Sequence, residues 1–109
     1  MLEPILTSKN KERILFFITA RESGYPREIA KFYNTDISPI QNQLEKLEIG
    51  NILVSKLVGK TRVYSLNLRY PFLKELKSLI LKAIDFLPEE EKDKLYIYRK
   101  RPRRKGKPL

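Results

Sequence analysis

The sequence predicts an α+β fold that is mainly helical, with a three-helix core, a β-hairpin and a C-terminal helix. Apolar residues recur at helical spacing in three segments before residue 50, two β-branched segments follow at 52–58 and 62–68, and helical spacing returns over 72–87. The 109 residues suffice for one domain. We place this domain at residues 1–88 and expect an acidic-then-basic flexible tail at 89–109.

The first two helices are marked by the residues at their ends. Ser8 can cap a helix over about 9–22, in which the apolar residues form one broad buried face. Ser23-Gly24 is expected to end this helix, because glycine accepts the left-handed conformation after a last turn. Pro26 suits the first position of a second, two-turn helix that ends near Asn34, since its φ is preset and its missing N–H is not needed there.

A third helix is predicted at about 37–49. Asp36 is the candidate N-cap, and Gly50-Asn51 closes the helix. An inward apolar stripe recurs at i, i+4 and i+7 and consists of Ile40, Leu44 and Leu47. The stripe leaves the polar side chains on the other faces of the helix: Ser38, Gln41, Asn42, Gln43 and Lys46.

The hairpin and the last helix complete the predicted domain. Gly59-Lys60-Thr61 separates the two strands and gives the hairpin a charged tip. The helix at 72–87 carries two apolar ridges, of which one can seal the core and the other can meet a twofold-related copy. We therefore expect a homodimer through Phe72, Leu76, Leu79, Ile80, Ala83 and Phe86. A partner protein on the same ridge is the alternative, and a membrane surface is disfavoured because Glu75 and Asp85 interrupt the lysines of this helix.

The charge of the chain is strongly basic and unevenly distributed. There are 23 basic and 13 acidic residues, which gives a net charge of +10. Residues 99–109 contain no acidic side chain and much of the basic excess, which predicts a polyanionic partner. We expect non-specific phosphate contacts from this segment, through Arg99, Lys100, Arg101, Arg103, Arg104, Lys105 and Lys107.

Missing residue types exclude several classes of chemistry. The chain has no Cys and no His, which excludes thiolate nucleophiles, disulfides, zinc knuckles, Ser-His-Asp triads and imidazole metal sites. Its glycines stand apart from one another, so no glycine-rich phosphate loop is present. We therefore expect no enzyme activity, no metal and no cofactor. No signal peptide or membrane span is evident, which predicts a cytoplasmic protein.

The order of the predicted elements indicates a DNA-binding fold. A two-turn helix joined by a brief turn to a longer helix is typical of a helix-turn-helix motif, whose second helix enters the major groove. The hairpin that follows acts as a wing, so the fold class is a winged helix-turn-helix. We predict DNA contacts by the helix through Ser38, Gln41, Asn42, Gln43 and Lys46, and by the wing at about 57–63 through Lys60, Thr61 and Arg62. Gln41 and Asn42 are the leading base readers because amides pair with adenine, whereas Gln43 is expected at the backbone.

The stretch from Ile29 to Leu66 resembles the core of ArsR-like winged-helix regulators. The shared pattern is an alanine, a small turn, a polar helix, Leu-x-x-Leu, a glycine, an aliphatic strand, a glycine-basic wing and Tyr-x-Leu. It falls on Ala30, Leu44, Leu47, Gly50, 52–54, Gly59-Lys60, Tyr64 and Leu66. Residues 66–84 are similar to a subgroup that often precedes a nucleotidyltransferase domain, although we expect no such domain in this protein. There is also no Cys/His metal box, so the resemblance does not imply metal sensing.

Residue chemistry and resemblance lead to one principal functional hypothesis. We expect a homodimeric transcriptional regulator that binds double-stranded DNA. The alternative is a winged-helix protein-interaction module whose basic tail binds nucleic acid non-specifically. RNA binding ranks third, because no aromatic-rich sheet that could stack bases is evident, and an enzyme ranks last.

Overall fold

A computed structural model of the chain describes residues 1–96. Within them the helices are α1 (Glu3–Leu6), α2 (Lys9–Arg21), α3 (Pro26–Phe32), α4 (Ile37–Ile49), α5 (Leu73–Asp85) and α6 (89–96), and the strands are β1 (Leu53–Val58) and β2 (Thr61–Leu66). The two strands pair as an antiparallel hairpin. The predicted α+β class, with a three-helix core, a hairpin and a C-terminal helix, is confirmed.

α2 lies at the centre of the core. Ser8 Oγ accepts a hydrogen bond from Lys11 N at 3.1 Å, so the predicted cap is present. Every side chain from residue 14 to residue 20 is buried, and the helix packs against α4 and α5. The helix ends at Arg21, close to the predicted end, but Glu22 and not Gly24 adopts the left-handed conformation that terminates it, with a φ of 79°.

Gly24 is required for close packing. Its N–H donates to the Tyr64 carbonyl at 3.0 Å and its own carbonyl accepts from Tyr64 N at 2.8 Å, so the segment after α2 pairs with β2. A Cβ atom at Gly24 would lie 2.8 Å from Phe17 Cε1. Since a carbon pair at that distance overlaps, glycine is what allows this backbone to pass against the Phe17 ring.

α3 and α4 form the helix-turn-helix. α3 begins at Pro26, as the sequence predicts, and Asn34 adopts a left-handed φ of 53° in the turn. Asp36 occupies the N-cap position of α4, but its side chain accepts no capping hydrogen bond, so this part of the prediction was wrong. The buried residues of α4 are those of the predicted stripe: Ile40, Leu44 and Leu47.

The hairpin reverses direction through two residues. Val58 pairs with Thr61 at its end, and Gly59 between them has a φ of 64°, which favours glycine. Side chains alternate between the two faces of the hairpin. Leu53 and Tyr64 point toward the helices and are buried, which seals the base of the hairpin against the core.

α6 corrects the predicted domain boundary. Residues 89–96 were assigned to a flexible tail, but they are helical, and Leu95 is only 2% exposed. Arg21 Nε donates to the Leu95 carbonyl at 3.0 Å, and Arg21 Nη2 donates to the Lys94 carbonyl at 2.8 Å. The folded domain therefore includes residues 89–96.

The N-terminal segment adds a short helix that the sequence analysis did not predict. Leu2, just before α1, is buried in the core cluster, and the N-terminal amine lies 3.2 Å from Glu12 Oε1 on α2. These contacts fasten α1 to the start of α2. Between residues 1 and 96, no helix is both long enough and apolar enough to cross a bilayer.

Candidate nucleic-acid interface

A groove of about 620 Å³ lies between the start of α3, the exposed side of α4 and the hairpin. The hairpin formed by β1 and β2 is called the wing from here on, and this depression the α4–wing groove. It is lined by Tyr25, Pro26, Arg27, Ile37, Gln41, Glu45, Lys60, Thr61, Arg62 and Tyr64. The fold thus brings one predicted amide of α4 together with all three predicted wing residues.

Helix geometry orders the polar residues of α4 around its axis. Successive residues are rotated by about 100°. Ser38 and Asn42 therefore point directly away from the buried stripe, and both are exposed. Gln41 faces the wing and lines the groove, while the exposed Lys46 points to the other side of the helix. A convex polar face of this kind is what the major groove of DNA accommodates.

Gln43 lies apart from the other polar residues of α4. It is rotated by about 200° from Gln41, is half-buried, and does not line the groove. Its Oε1 atom is buried and has no hydrogen-bond partner among residues 1–96. The structure therefore separates Gln43 from the face that presents Ser38 and Asn42.

Hydrogen bonds connect the wing to α4. Arg62 Nη1 donates to Ser55 Oγ at 3.0 Å, and Ser55 Oγ donates to Glu48 Oε2 at 2.6 Å. We call this set the Glu48–Ser55–Arg62 relay. Lys60 and Thr61 are exposed at the wing tip next to it. The relay fixes the guanidinium of Arg62 at the edge of the groove.

The positive charge around the groove comes from the wing and α3 rather than from α4. Within α4, Lys46 is outnumbered by Glu45 and Glu48. The basic residues that line the groove are Arg27 of α3 and Lys60 and Arg62 of the wing, and all three are exposed. The exposed amides and hydroxyl therefore lie on α4, whereas the cations beside the groove lie on α3 and the wing.

The sequence analysis did not assign six of the residues that line the groove: Tyr25, Pro26, Arg27, Ile37, Glu45 and Tyr64. Arg27 was detectable, because it is the second residue of α3, and the first helix of a helix-turn-helix crosses the DNA backbone. Tyr64 could be found only from the fold, since its position depends on the strand register. Burial raises the pKa of the Tyr64 hydroxyl, and Glu48 and Glu45 raise it further, so the phenol stays neutral and can donate a hydrogen bond.

The predicted dimer residues of α5 divide into two groups. Ile80 and Ala83 are buried in the core of this chain itself, and Leu76 is half-buried. Phe72, Leu79 and Phe86 recur every seven residues and are 63%, 38% and 72% exposed. These three residues form what we call the α5 ridge.

Two further predictions concern the basic tail and metals. The predicted phosphate contacts of the tail lie outside the described residues: Arg99, Lys100, Arg101, Arg103, Arg104, Lys105 and Lys107. In the part of the chain that the structure describes, no group of acidic side chains is arranged to hold a metal ion.

Comparisons with known proteins show similarity in structure and not in sequence. The chain matches no protein-family model, and no curated protein matches its sequence. The antimony-specific transcriptional repressor AntR is similar with a TM-score of 0.60 and 20% identity, over 77% of this chain and 74% of AntR. A mutant of MarR from E. coli is similar with a TM-score of 0.60 and 15% identity, over 91% of this chain and 80% of MarR.

A further match is MepR, a transcription regulator of the Staphylococcus aureus multidrug efflux pump MepA. Its TM-score is 0.57 at 16% identity, over 93% of this chain and 81% of MepR. At these identities the similarity concerns the fold. The chain has the winged-helix fold of these regulators.

Proposed function

We propose that this chain is a DNA-binding transcriptional regulator. In this proposal α4 enters the major groove of double-stranded DNA, and the wing, at about 57–63, contacts the backbone or the minor groove. The α4–wing groove carries the proposal, because Gln41 and three wing residues line one depression. Amides can bond base edges, and cations can neutralise the phosphates beside them. The fold shared with a transcriptional repressor supports the same function.

The proposed contacts are divided between base reading and backbone binding. Gln41 and Asn42 read bases, because each can form two hydrogen bonds with adenine. The remaining contacts, with phosphates or groove edges, come from Arg27, Ser38, Lys46, Lys60, Thr61 and Arg62, and from the basic residues of 99–107. Gln43 is left out of this set because its amide oxygen is buried.

We also propose that the chain acts as a homodimer through the α5 ridge, as an ArsR-like regulator. The ridge spans four turns of helix, or about 20 Å, and presents two exposed phenylalanines. An apolar strip of this length favours a self-complementary contact between two copies. Two copies would present two α4 helices to successive major grooves about one helical turn apart.

The decisive experiment is selection of bound duplexes from a random DNA pool by the full chain at physiological salt. We expect a consensus with twofold symmetry. Asn42→Ala should reduce discrimination at one position of each half-site by about 1–3 kcal/mol, with a smaller loss of affinity for random duplex. Gln43→Ala is the matched control and should leave the consensus unchanged, because its amide does not face the groove.

One observation favours the alternative of a protein-interaction module. The wing exposes three large apolar side chains, Val54 at 43%, Leu57 at 61% and Val58 at 52%. Exposed apolar residues of this kind are often used to contact proteins. Recovery of random duplexes without a consensus would contradict sequence-specific regulation and would favour this alternative.

A further inference from the structure

α4 carries two glutamates near the wing, and they have different surroundings. Glu48 Oε2 accepts the hydrogen bond from Ser55 and belongs to the Glu48–Ser55–Arg62 relay. Glu45 is exposed and lines the α4–wing groove beside Gln41. Among residues 1–96 the Glu45 carboxylate makes no hydrogen bond and no ion pair, although Lys60 and Arg62 line the same groove. It is therefore free to accept a hydrogen bond from a ligand.

A free carboxylate is costly on a surface that meets DNA. Phosphates repel it, and most major-groove base atoms are acceptors that repel it too: guanine N7 and O6, thymine O4 and adenine N7. The exocyclic N4 amino group of cytosine is a donor with no acceptor beside it on the same base, and it is the usual partner of Glu and Asp. The chemistry of the site thus fits one base better than the other three.

We infer that Glu45 is a specificity-determining residue that accepts a hydrogen bond from the N4 amino group of cytosine. This inference rests on the proposed function. Gln41 precedes Glu45 by one helical turn, a rise of about 6 Å for four residues, while base pairs are stacked about 3.4 Å apart. The cytosine therefore lies within about two base pairs of the adenine that Gln41 reads.

The same carboxylate disfavours every sequence without that cytosine. Its repulsion from phosphates and from acceptor atoms is compensated only where an amino donor faces it. Glu45 thus lowers the affinity for random duplex while maintaining the affinity for the cognate site. In this way α4 can discriminate between DNA sequences even though the protein as a whole is strongly basic and attracts any duplex.

The test compares the DNA consensus selected by the full wild-type chain with those selected by Glu45→Gln and Glu45→Ala. Glutamine keeps the size of the side chain and prefers adenine, so Glu45→Gln should change one consensus position from C·G to A·T. Discrimination in favour of the original base pair should fall by about fivefold or more. Glu45→Ala should lose the preference at that position, and both variants should bind random duplex more tightly.

Glu90→Gln provides the matched control, because it makes the same change of charge on α6 at an exposed position outside the groove. It should leave both the consensus and the affinity for random duplex as they are. An unchanged base preference in Glu45→Gln, even with tighter binding overall, would overturn the inference and leave the proposed function in place. The absence of any consensus for the wild-type chain would overturn both.

Discussion

Arg62 Nη1 lies 3.0 Å from Ser55 Oγ and donates a hydrogen bond to it diagonally across the two strands of the wing. Because Ser55 in turn donates to Glu48, the wing cation is joined to α4 without a direct ion pair. The relay thus holds the long side chain of Arg62 in one position before DNA is bound. Ordering one such side chain in advance saves about 0.5–1.5 kcal/mol on binding.

Ser55→Ala should therefore weaken DNA binding by up to about tenfold, because Arg62 must then be ordered during binding. The salt dependence of the affinity should not change, since the guanidinium keeps its charge. Fluorescence anisotropy with the selected duplex at several salt concentrations measures both quantities. Ser65→Ala is the control, because Ser65 lies on β2 with its side chain on the opposite face of the wing.

A double-mutant cycle with Arg62→Ala separates positioning from general damage to the wing. If Ser55 acts through Arg62, Ser55→Ala should have little effect on affinity in the Arg62→Ala background. Equal losses in the two backgrounds would mean that Ser55 supports the wing independently of Arg62.

Gly24→Ala should destabilise the fold by about 1–3 kcal/mol. The new Cβ would lie 2.8 Å from Phe17 Cε1, and Phe17 is fully buried, so the ring has little room to move. Denaturant unfolding followed by circular dichroism measures the change. Gly50→Ala is the control, because a Cβ there meets its nearest atom, the Lys46 carbonyl oxygen, at 3.5 Å. A Gly24→Ala variant as stable as the wild type would mean that the backbone moves away from the Phe17 ring.

Local sequence patterns predicted those elements in which the spacing of apolar residues shows which side chains are buried. The stripe of Ile40, Leu44 and Leu47 fixed both the range of α4 and its inward face, and therefore which polar side chains are exposed. The wing was also predictable from local sequence, because two β-branched segments separated by a short glycine-containing turn are typical of a β-hairpin. The sequence thus predicted that Gln41, Lys60 and Arg62 lie near one another, and in the structure they line the same groove.

The features that the sequence did not predict depend on contacts between residues that are distant in the chain. α6 carries a single buried apolar side chain among the described residues, Leu95, and is held by Arg21 from 73 residues earlier. No window of the sequence contains both partners. Pro88 followed by acidic residues is a helix-start signal that could have indicated it. The relay from Glu48 to Arg62 was equally hidden, because it requires the strand register and the rotamers.

Arg21→Ala should release α6 from the domain while leaving the rest folded. The substitution removes the hydrogen bonds to the Lys94 and Leu95 carbonyls and the stacking of the guanidinium on the Phe17 and Phe32 rings. Amide hydrogen exchange should become faster in residues 89–96 and stay slow in α2.

Lys92→Ala is the control for Arg21→Ala. Lys92 pairs with Glu89 at 3.7 Å within α6, and such a surface pair contributes little, so its loss should hardly change the exchange rates. Unchanged protection of 89–96 in Arg21→Ala would show that the packing of Leu95 and Tyr96 against the core holds the helix without Arg21.

Replacing Phe72 and Phe86 of the α5 ridge together by serine should convert the proposed dimer into a monomer. Both side chains are mostly exposed, so the fold of the single chain should be retained. Sedimentation equilibrium gives the mass, and circular dichroism verifies the fold. Leu68→Ser is the control, because Leu68 is 85% exposed but lies outside the ridge. A wild-type chain that sediments as a monomer would contradict dimerisation.

Deleting residues 99–109 should weaken binding to every duplex by a similar factor. The segment contributes only basic charge, and each phosphate that it neutralises adds about 0.9 to the steepness of the salt dependence. The plot of log affinity against log salt should therefore become flatter, while the selected consensus stays the same. Neutralising Lys74, Lys77 and Lys82 on α5 provides a control, since these cations lie away from the α4–wing groove. An unchanged slope after the deletion would assign the basic segment to a partner other than DNA.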